Sequence, residues 1–136
     1  MPAGYSGTPL AKKLGVKAGF RLLLWQQPEH YLELFSDWPE GVEIQYQTEA
    51  ADVDCIHAFF KEMTDLQNAI PALKAALKKT GMLWVSWPKG KSTIPTDLKR
   101  EPIREHLLDI GLVDVKVAAV DEDWSGLKFV YRLKDR

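Results

Sequence analysis

The sequence predicts one α/β domain built on a mostly parallel sheet of six strands, with helices on both faces. Short apolar runs alternate with segments whose apolar residues recur at helical spacing, which is typical of parallel strands connected by helices. Residues 113–121 and 127–133 form two final β-rich stretches, and only a short acidic turn connects them. We expect these two stretches to pair antiparallel, so that one hairpin completes the sheet.

Composition and charge limit the possible classes of function. The 136 residues are 46% apolar and 27% charged, as in an ordinary globular domain. The formal net charge of −1 provides no overall attraction to nucleic acid or to an anionic membrane. Cys55 is the only cysteine, which fits a reducing compartment. We therefore expect residues 1–136 to form one cytoplasmic domain, with no membrane span, no secretory signal and no nucleic-acid partner; the oligomeric state stays open.

The strands are expected where apolar runs are short. A continuous apolar run predicts a strand buried on both faces, and an alternating run predicts a strand at the sheet edge. In the third strand, Cys55, His57 and Phe59 should face one side of the sheet and Ile56 and Phe60 the other. The expected strands before the final hairpin are 20–25, 42–47, 53–60 and 82–87.

Four helices are expected from apolar residues at helical spacing, with prolines and caps near their ends. Thr8 and Pro9 are typical of a helix start, and Gly15 and Gly81 of helix ends. Pro71 should divide the third helix and Pro102 should break the fourth. The expected segments are 9–14, 28–38, 64–77 with a basic end at 78–79, and 96–110.

Two segments resemble parts of SAM-dependent methyltransferases. Residues 73–88 resemble the helix, glycine and strand unit of those enzymes, and residues 103–120 resemble the helix, Gly-Leu turn and strand that follow it. The resemblance implies a three-layer, methyltransferase-like (Rossmann-like) fold. Its strand order would be 2-1-3-4-6-5, with the last hairpin antiparallel and one strand fewer than the full enzyme core.

A second resemblance covers nearly the whole chain. Residues 4–15 (Gly-Tyr-Ser-Gly-Thr-Pro-Leu-Ala-Lys-Lys-Leu-Gly), together with 87–89, 96–100 and 121–127, resemble a bacterial family known only as a domain of unknown function. That family implies the same fold and brings no activity with it.

The glycine loop that holds SAM in methyltransferases is missing. The loop follows the first strand, and its glycines let backbone N–H groups approach the ligand. In this chain that position reads Trp25-Gln26-Gln27-Pro28-Glu29. Glu49, after the second strand, is only a weak match to the acid that binds the ribose. We therefore expect no cofactor, and no binding of SAM at physiological concentrations.

Three other patterns favour structural roles. The run Gly90-Lys91-Ser92 resembles the end of a phosphate-binding P-loop, but Val85 stands where that motif needs a glycine and no helix follows directly. His57 and Cys55 lie two positions apart on one strand face, yet a zinc site would lack its other ligands. A hydrogen-bonded core histidine is the favoured interpretation. The acidic turn 121–123 is expected to be solvated, and no metal site is predicted.

A candidate site lies at the carboxyl ends of the strands, where open parallel sheets bind ligands. Segment 1–8, the loop 89–95 and the turn 122–125 should converge there, with segment 1–8 packing over this rim as part of a site or as a structural latch. Basic side chains would supply charge, serines hydrogen bonds and a tryptophan a flat wall. The candidate ligand-binding residues are Tyr5, Ser6, Lys89, Lys91, Ser92, Asp97, Arg100, Trp124 and Ser125.

Three functions are compatible with these patterns. The main interpretation is a non-catalytic domain that binds a small anionic ligand or a partner protein at the rim, because the glycine loop is absent. The alternative is an atypical SAM- or nucleotide-dependent transferase. A third possibility is a structural subunit that pairs with another chain through the sheet edge at 42–47.

Overall fold

The computed structural model describes residues 9–36, 38–47 and 51–136. These residues form a three-layer fold in which one sheet lies between two layers of helices. The sheet order is β2-β1-β3-β4-β6-β5. Strands β1 to β4 run parallel, and β6 pairs antiparallel with both β4 and β5. The fold class and strand order predicted from the sequence are confirmed. The strands are β1 (Arg21–Trp25), β2 (Glu43–Gln45), β3 (Val53–Phe59), β4 (Leu77–Pro88), β5 (Leu112–Ala119) and β6 (Trp124–Tyr131).

The helices cover both faces of this sheet. They are α1 (Leu10–Leu14), α2 (Met63–Ala76) and α3 (Arg100–Asp109), with short 3-10 helices at Tyr31–Leu34 and Leu133–Asp135. In the part of the chain that the structure describes, no helix is long and apolar enough to cross a membrane.

Two apolar cores lie on opposite faces of the sheet. Helices α2 and α3 pack on one face, where their side chains contact Ile56 and Phe60 of β3 and its end. Helix α1 and the 3-10 helix at Tyr31 pack on the other, against Cys55 and Phe59. The alternation predicted for β3 is confirmed, and both of its faces are excluded from water.

Helix α2 differs from the prediction because it passes through Pro71 without a break. Proline removes one backbone hydrogen bond, from position 71 to the carbonyl of Gln67. Both residues are exposed, so water can satisfy that carbonyl and the helix tolerates the proline. The helix also ends at Ala76 rather than near Gly81, which lies inside β4. A Cβ at Gly81 would lie 2.9 Å from the Asp54 carbonyl oxygen, so this glycine permits close strand approach rather than a helix end.

The helix predicted over 28–38 is wrong: of the residues in this range that the structure describes, only Tyr31–Leu34 are helical, and the turn is 3-10. The apolar stripe forms an aromatic cluster instead. The Tyr31 and Phe35 rings lie 5.1 Å apart, and Phe35 stacks on Trp38 with centroids 4.2 Å apart. Ring packing buries Tyr31 and partly covers Phe35 and Trp38 without a regular helix.

Two helix starts also lie later than predicted. Helix α3 begins at Arg100, so Pro102 falls in its first turn, where no intrahelical N–H bond is required and no break results. Pro9 occupies the N-cap position of α1, one residue before the first helical residue. The predicted cap, Thr8, lies outside the described residues, as does the rest of segment 1–8.

Candidate functional site

A pocket opens at the carboxyl ends of β1 and β3, beside the turn between β5 and β6. Its volume is about 470 Å³, within the range of small-molecule sites. Four carboxylates and one lysine line it, so its charge is predominantly negative. We call it the acidic pocket; it is lined by Gln26, Gln27, Pro28, Glu29, His30, Phe59, Lys61, Glu62, Asp65, Ile94, Asp123 and Trp124.

Gln26 forms the turn that leaves β1 at the wall of the acidic pocket. Its φ angle is 55°, in the left-handed region that costs a side-chain-bearing residue about 1–2 kcal/mol. The side-chain Nε2 donates to the Phe59 carbonyl at 2.8 Å and to Asp65 Oδ2 at 2.9 Å. The amide thus connects β1 to β3 and α2, and the chain makes a glycine-type turn with glutamine.

His30 and Asp121 form a second polar contact at the pocket. His30 Nε2 lies 2.8 Å from Asp121 Oδ2, and the side chains are 46% and 8% exposed. The other carboxylate oxygen, Oδ1, accepts the backbone N–H groups of Asp123 at 2.8 Å and Trp124 at 2.9 Å. These bonds hold Asp121 in place and shape the turn that presents Trp124 to the pocket.

A separate groove of about 640 Å³ adjoins the acidic pocket, and the two share Ile94. Lys89, Lys99 and Arg100 line this groove, and we call it the basic groove. The loop from Lys89 to Ile94 is held by the β5–β6 turn: the Lys89 N–H donates to the Asp123 carbonyl at 2.7 Å, and the Ser92 hydroxyl to Asp123 Oδ1 at 2.8 Å. A loop tied in this way is ordered by its own contacts and does not need a ligand.

The structure divides the candidate residues between these regions. Lys89, Ser92 and Arg100 line the basic groove, and Trp124 lines the acidic pocket. Lys91 is exposed in the loop, and Ser125 is half-buried in β6. Asp97 Oδ1 accepts the Met63 N–H at 2.8 Å, which stabilises the start of α2. Tyr5, Ser6 and Glu49 lie outside the described residues.

Sequence reasoning missed the carboxylates and the histidine of the acidic pocket. Gln26, Glu62 and Asp123 follow the carboxyl ends of predicted strands, where open parallel sheets bind ligands, so their position at the rim was open to prediction. His30 lies in the segment predicted as a helix, and its partner Asp121 is 91 positions away. No local pattern reports a contact over that distance.

A buried polar network lies below the acidic pocket. His57 Nδ1 is hydrogen-bonded to the Tyr31 hydroxyl at 2.9 Å, and His57 Nε2 to Ser86 Oγ at 2.7 Å. Burial lowers the pKa of His57 to about 3 and raises the pKa of the buried Cys55 thiol to about 12. His57 is therefore a neutral, hydrogen-bonded core residue, as predicted. Among the described residues, no group of three or more His, Cys, Asp or Glu side chains is arranged to hold a metal ion.

Comparison with known proteins identifies the fold. No family model matches the sequence, and no curated protein matches it either.

Solved structures do match. The ribosomal protein L11 methylase of Lactobacillus delbrueckii subsp. bulgaricus is 14% identical over 90% of this chain and 75% of its own, with a TM-score of 0.60. A SAM-dependent methyltransferase of Aquifex aeolicus is 18% identical over 88% of this chain and 86% of its own, with a TM-score of 0.60. The fibrillarin of Aeropyrum pernix, with natively bound SAM, is 15% identical over 93% of this chain and 70% of its own, with a TM-score of 0.61. At these identities the similarity shows a methyltransferase-like fold.

These structures correct two predictions. The interpretation as a non-catalytic domain is wrong, because the structures that share the fold are SAM-dependent methyltransferases, and they favour the alternative of an atypical SAM-dependent transferase. The expectation of no cofactor and no SAM is wrong as well, since SAM occupies the fibrillarin structure. Both predictions took the missing glycines as decisive. The positive φ of Gln26 shows that the turn after β1 can form without them.

Proposed function

We propose that the protein is a SAM-dependent methyltransferase of atypical sequence that binds SAM in the acidic pocket. The charge of this pocket is the observation that carries the proposal. SAM is positive overall, because its sulfonium and ammonium groups outweigh its carboxylate. A pocket with four carboxylates and one lysine attracts such a cation and disfavours phosphates.

The residues present fit SAM in volume and in chemistry. Glu62 and Asp65 would hold the positive groups of SAM and Lys61 its carboxylate. The exposed edge of the largely buried Trp124 ring would contact its adenine. When bound, SAM supplies a methyl group that its sulfonium activates toward nucleophiles. The volume of about 470 Å³ admits a ligand of this size.

The chain itself supplies a rigid, partly apolar wall. Trp124 is only 5% exposed, and its ring contacts Phe59 edge-to-face with centroids 5.1 Å apart. The Gln26 amide fixes another part of the pocket wall through its bonds to β3 and α2. Side chains that are already held lose little freedom when a ligand binds, and they limit the access of water to the reacting groups.

The neighbouring basic groove is our proposed site for the methyl acceptor. Lys89, Ser92 and Arg100 line it, and it meets the acidic pocket at Ile94. These side chains suit an acceptor that carries a carboxylate or a phosphate away from its reacting atom. We also propose that Tyr5 and Ser6 approach this rim, that the protein acts in the cytoplasm, and that the resemblance to the bacterial family of unknown function reflects common descent.

Calorimetry tests the cofactor site. We expect SAM and its demethylated product SAH to bind the wild type, and the double variant Glu62→Gln/Asp65→Asn to bind SAM about tenfold or more weakly, a loss of at least roughly 1.4 kcal/mol. Glu105→Gln is the matched control, because Glu105 is exposed on α3 away from the pocket. Its affinity for SAM should equal that of the wild type. No binding of SAM at a concentration of about 1 mM, or equal affinity in the double variant, would overturn the proposal.

A further inference from the structure

The His30–Asp121 pair has a geometry that cofactor binding alone does not explain. The imidazole lines the acidic pocket, and its side chain is 46% exposed. The carboxylate that it contacts is 8% exposed and accepts two backbone N–H groups through its other oxygen. One partner is therefore fixed within the protein, and the other faces the space where a ligand would lie.

This contact determines which nitrogen of His30 carries the proton. An ionised carboxylate only accepts hydrogen bonds, so Nε2 must donate to Asp121 Oδ2 across the 2.8 Å contact. In the neutral ring the lone pair then lies on Nδ1. Among the hydrogen bonds of the described residues, none involves Nδ1. A basic nitrogen is thus available at the pocket, with a buried carboxylate behind it to stabilise the ring once it gains a proton.

His57 provides a contrast within the same chain. Both of its ring nitrogens are hydrogen-bonded, to Tyr31 and Ser86, and the residue is fully buried. The ring nitrogen of His57 that carries the lone pair therefore accepts a hydrogen bond within the protein, and the residue stabilises the core. His30 has one nitrogen held and one left for a ligand, which is the arrangement of a general base.

We propose that His30 is the general base of the methyl transfer and that Asp121 is its positioning residue. The inference rests on the proposed function and adds the class of acceptor, an O–H or N–H group that loses its proton. As the acceptor oxygen or nitrogen bonds to the methyl carbon, the carbon–sulfur bond breaks and its electron pair stays on sulfur. The acceptor proton moves to His30 Nδ1, and the resulting imidazolium is stabilised by the Asp121 carboxylate.

The first test is spectroscopic and needs no acceptor. In protein labelled with ¹⁵N-histidine, long-range ¹H–¹⁵N spectra should show His30 with its proton on Nε2. Asp121→Asn keeps an Oδ1 acceptor for the backbone N–H groups and places its Nδ2 donor opposite His30 Nε2, so the His30 proton should move to Nδ1. His30→Gln assigns the signal, and His106 on α3 is the internal control. A proton on Nδ1 in the wild type, or an unchanged tautomer in Asp121→Asn, would overturn the proposal.

The second test measures the nucleophilicity of the free nitrogen. Diethyl pyrocarbonate acylates unprotonated imidazole, and mass spectrometry locates the product. His30 should react about tenfold faster in the wild type than in Asp121→Asn, the lower end of the effect measured when a metal-binding histidine loses its carboxylate partner. The rate at His106 should not change. Equal rates at His30 in both proteins would contradict the role of Asp121.

Saturating SAH separates this inference from the proposed function. If SAH binds in the acidic pocket, it should shift the ¹H–¹⁵N signals of His30, which lines that pocket, and leave those of His106 unaffected. Failure of SAH to bind refutes the proposed function, while the tautomer and the acylation rates still decide the state of His30. With an acceptor from a panel of phenols and amines, His30→Gln should lower kcat about 100-fold or more and leave the Kd of SAM within about twofold. An unchanged kcat would show that His30 is not the base.

Discussion

The buried histidine makes the stability of this domain dependent on pH in a window that can be calculated. Burial lowers the pKa of His57 from 6.5 to about 3, so the native protein keeps His57 neutral where the unfolded chain protonates it. Below pH 6.5 the unfolded state binds one more proton than the native state does. The free energy of unfolding should therefore fall by about 1.4 kcal/mol per pH unit between pH 6.5 and pH 3.

The loss is large enough to measure before most carboxylates titrate. Between pH 6.5 and pH 4.5 it amounts to about 2.3 kcal/mol, because the unfolded histidine is only half protonated at pH 6.5. That is a substantial share of the roughly 5–15 kcal/mol of an ordinary domain. Urea unfolding followed by tryptophan fluorescence at pH 4.5 to 7.5 gives the free energy at each pH. Full stability should be present above pH 6.5, and the slope should appear below it.

Substitution of His57 by glutamine tests whether this residue causes the slope. His57→Gln loses its bonds to Tyr31 and Ser86, so it should be less stable than the wild type at pH 7.5, and this difference should shrink as the pH falls. Between pH 6.5 and pH 4.5, its free energy of unfolding should nevertheless depend less steeply on pH than that of the wild type. The difference should be about 1.4 kcal/mol per pH unit, which corresponds to one proton. His106→Gln, at the last turn of α3, should keep the wild-type slope. An equal slope in His57→Gln and the wild type would refute the reasoning.

Three further outcomes follow from the fold. Gly81→Ala should destabilise the domain by about 1–3 kcal/mol in urea unfolding, because a Cβ would lie 2.9 Å from the Asp54 carbonyl oxygen; Gly90→Ala, with no atom within 4 Å of its Cβ position, should be neutral. Gln26→Gly should relieve the left-handed φ yet weaken SAM binding by calorimetry, because the amide bonds to β3 and α2 are lost; unchanged affinity would show that the amide does not shape the pocket. Deleting residues 1–8 should lower the melting temperature if they pack over the rim as we propose, and an unchanged value would show that they do not.

The sheet could be predicted because its buried strands have a simple signature. A strand covered on both faces must be apolar throughout, so segments such as 53–60 stand out without knowledge of their partners. The same simplicity misled at 28–38, where aromatic residues at helical spacing pack ring against ring in an irregular segment. The spacing of apolar residues in the sequence indicates which side chains pack together. It does not determine the backbone conformation between them, which depends on how the rings pack in the folded protein.

The acidic pocket was harder to predict than the sheet for a physical reason. Its charge comes from Glu29, Glu62, Asp65 and Asp123, which are spread along the chain, and none is unusual in its local context. The lysines near the basic groove are close in sequence and therefore visible as a cluster. The clustering of lysines in the sequence led to the prediction of a basic site. The carboxylates of the acidic pocket come together beside it only in the folded protein.

The single cysteine, Cys55, can report local opening of the folded structure through its reaction with a thiol reagent. Cys55 lies in the middle of the sheet with no exposed surface, between Leu22 of β1 and Met82 of β4, and burial holds its thiol in the unreactive protonated form by raising its pKa. A disulfide reagent added to the folded protein must wait until α1 and the 3-10 helix at Tyr31, which cover this face of the sheet, move away from it. Once the reagent is concentrated enough for its rate to saturate, the labelling rate equals the rate at which this layer opens. The lifetime of the closed layer can therefore be measured on the unmodified chain, without a fluorophore or an engineered residue.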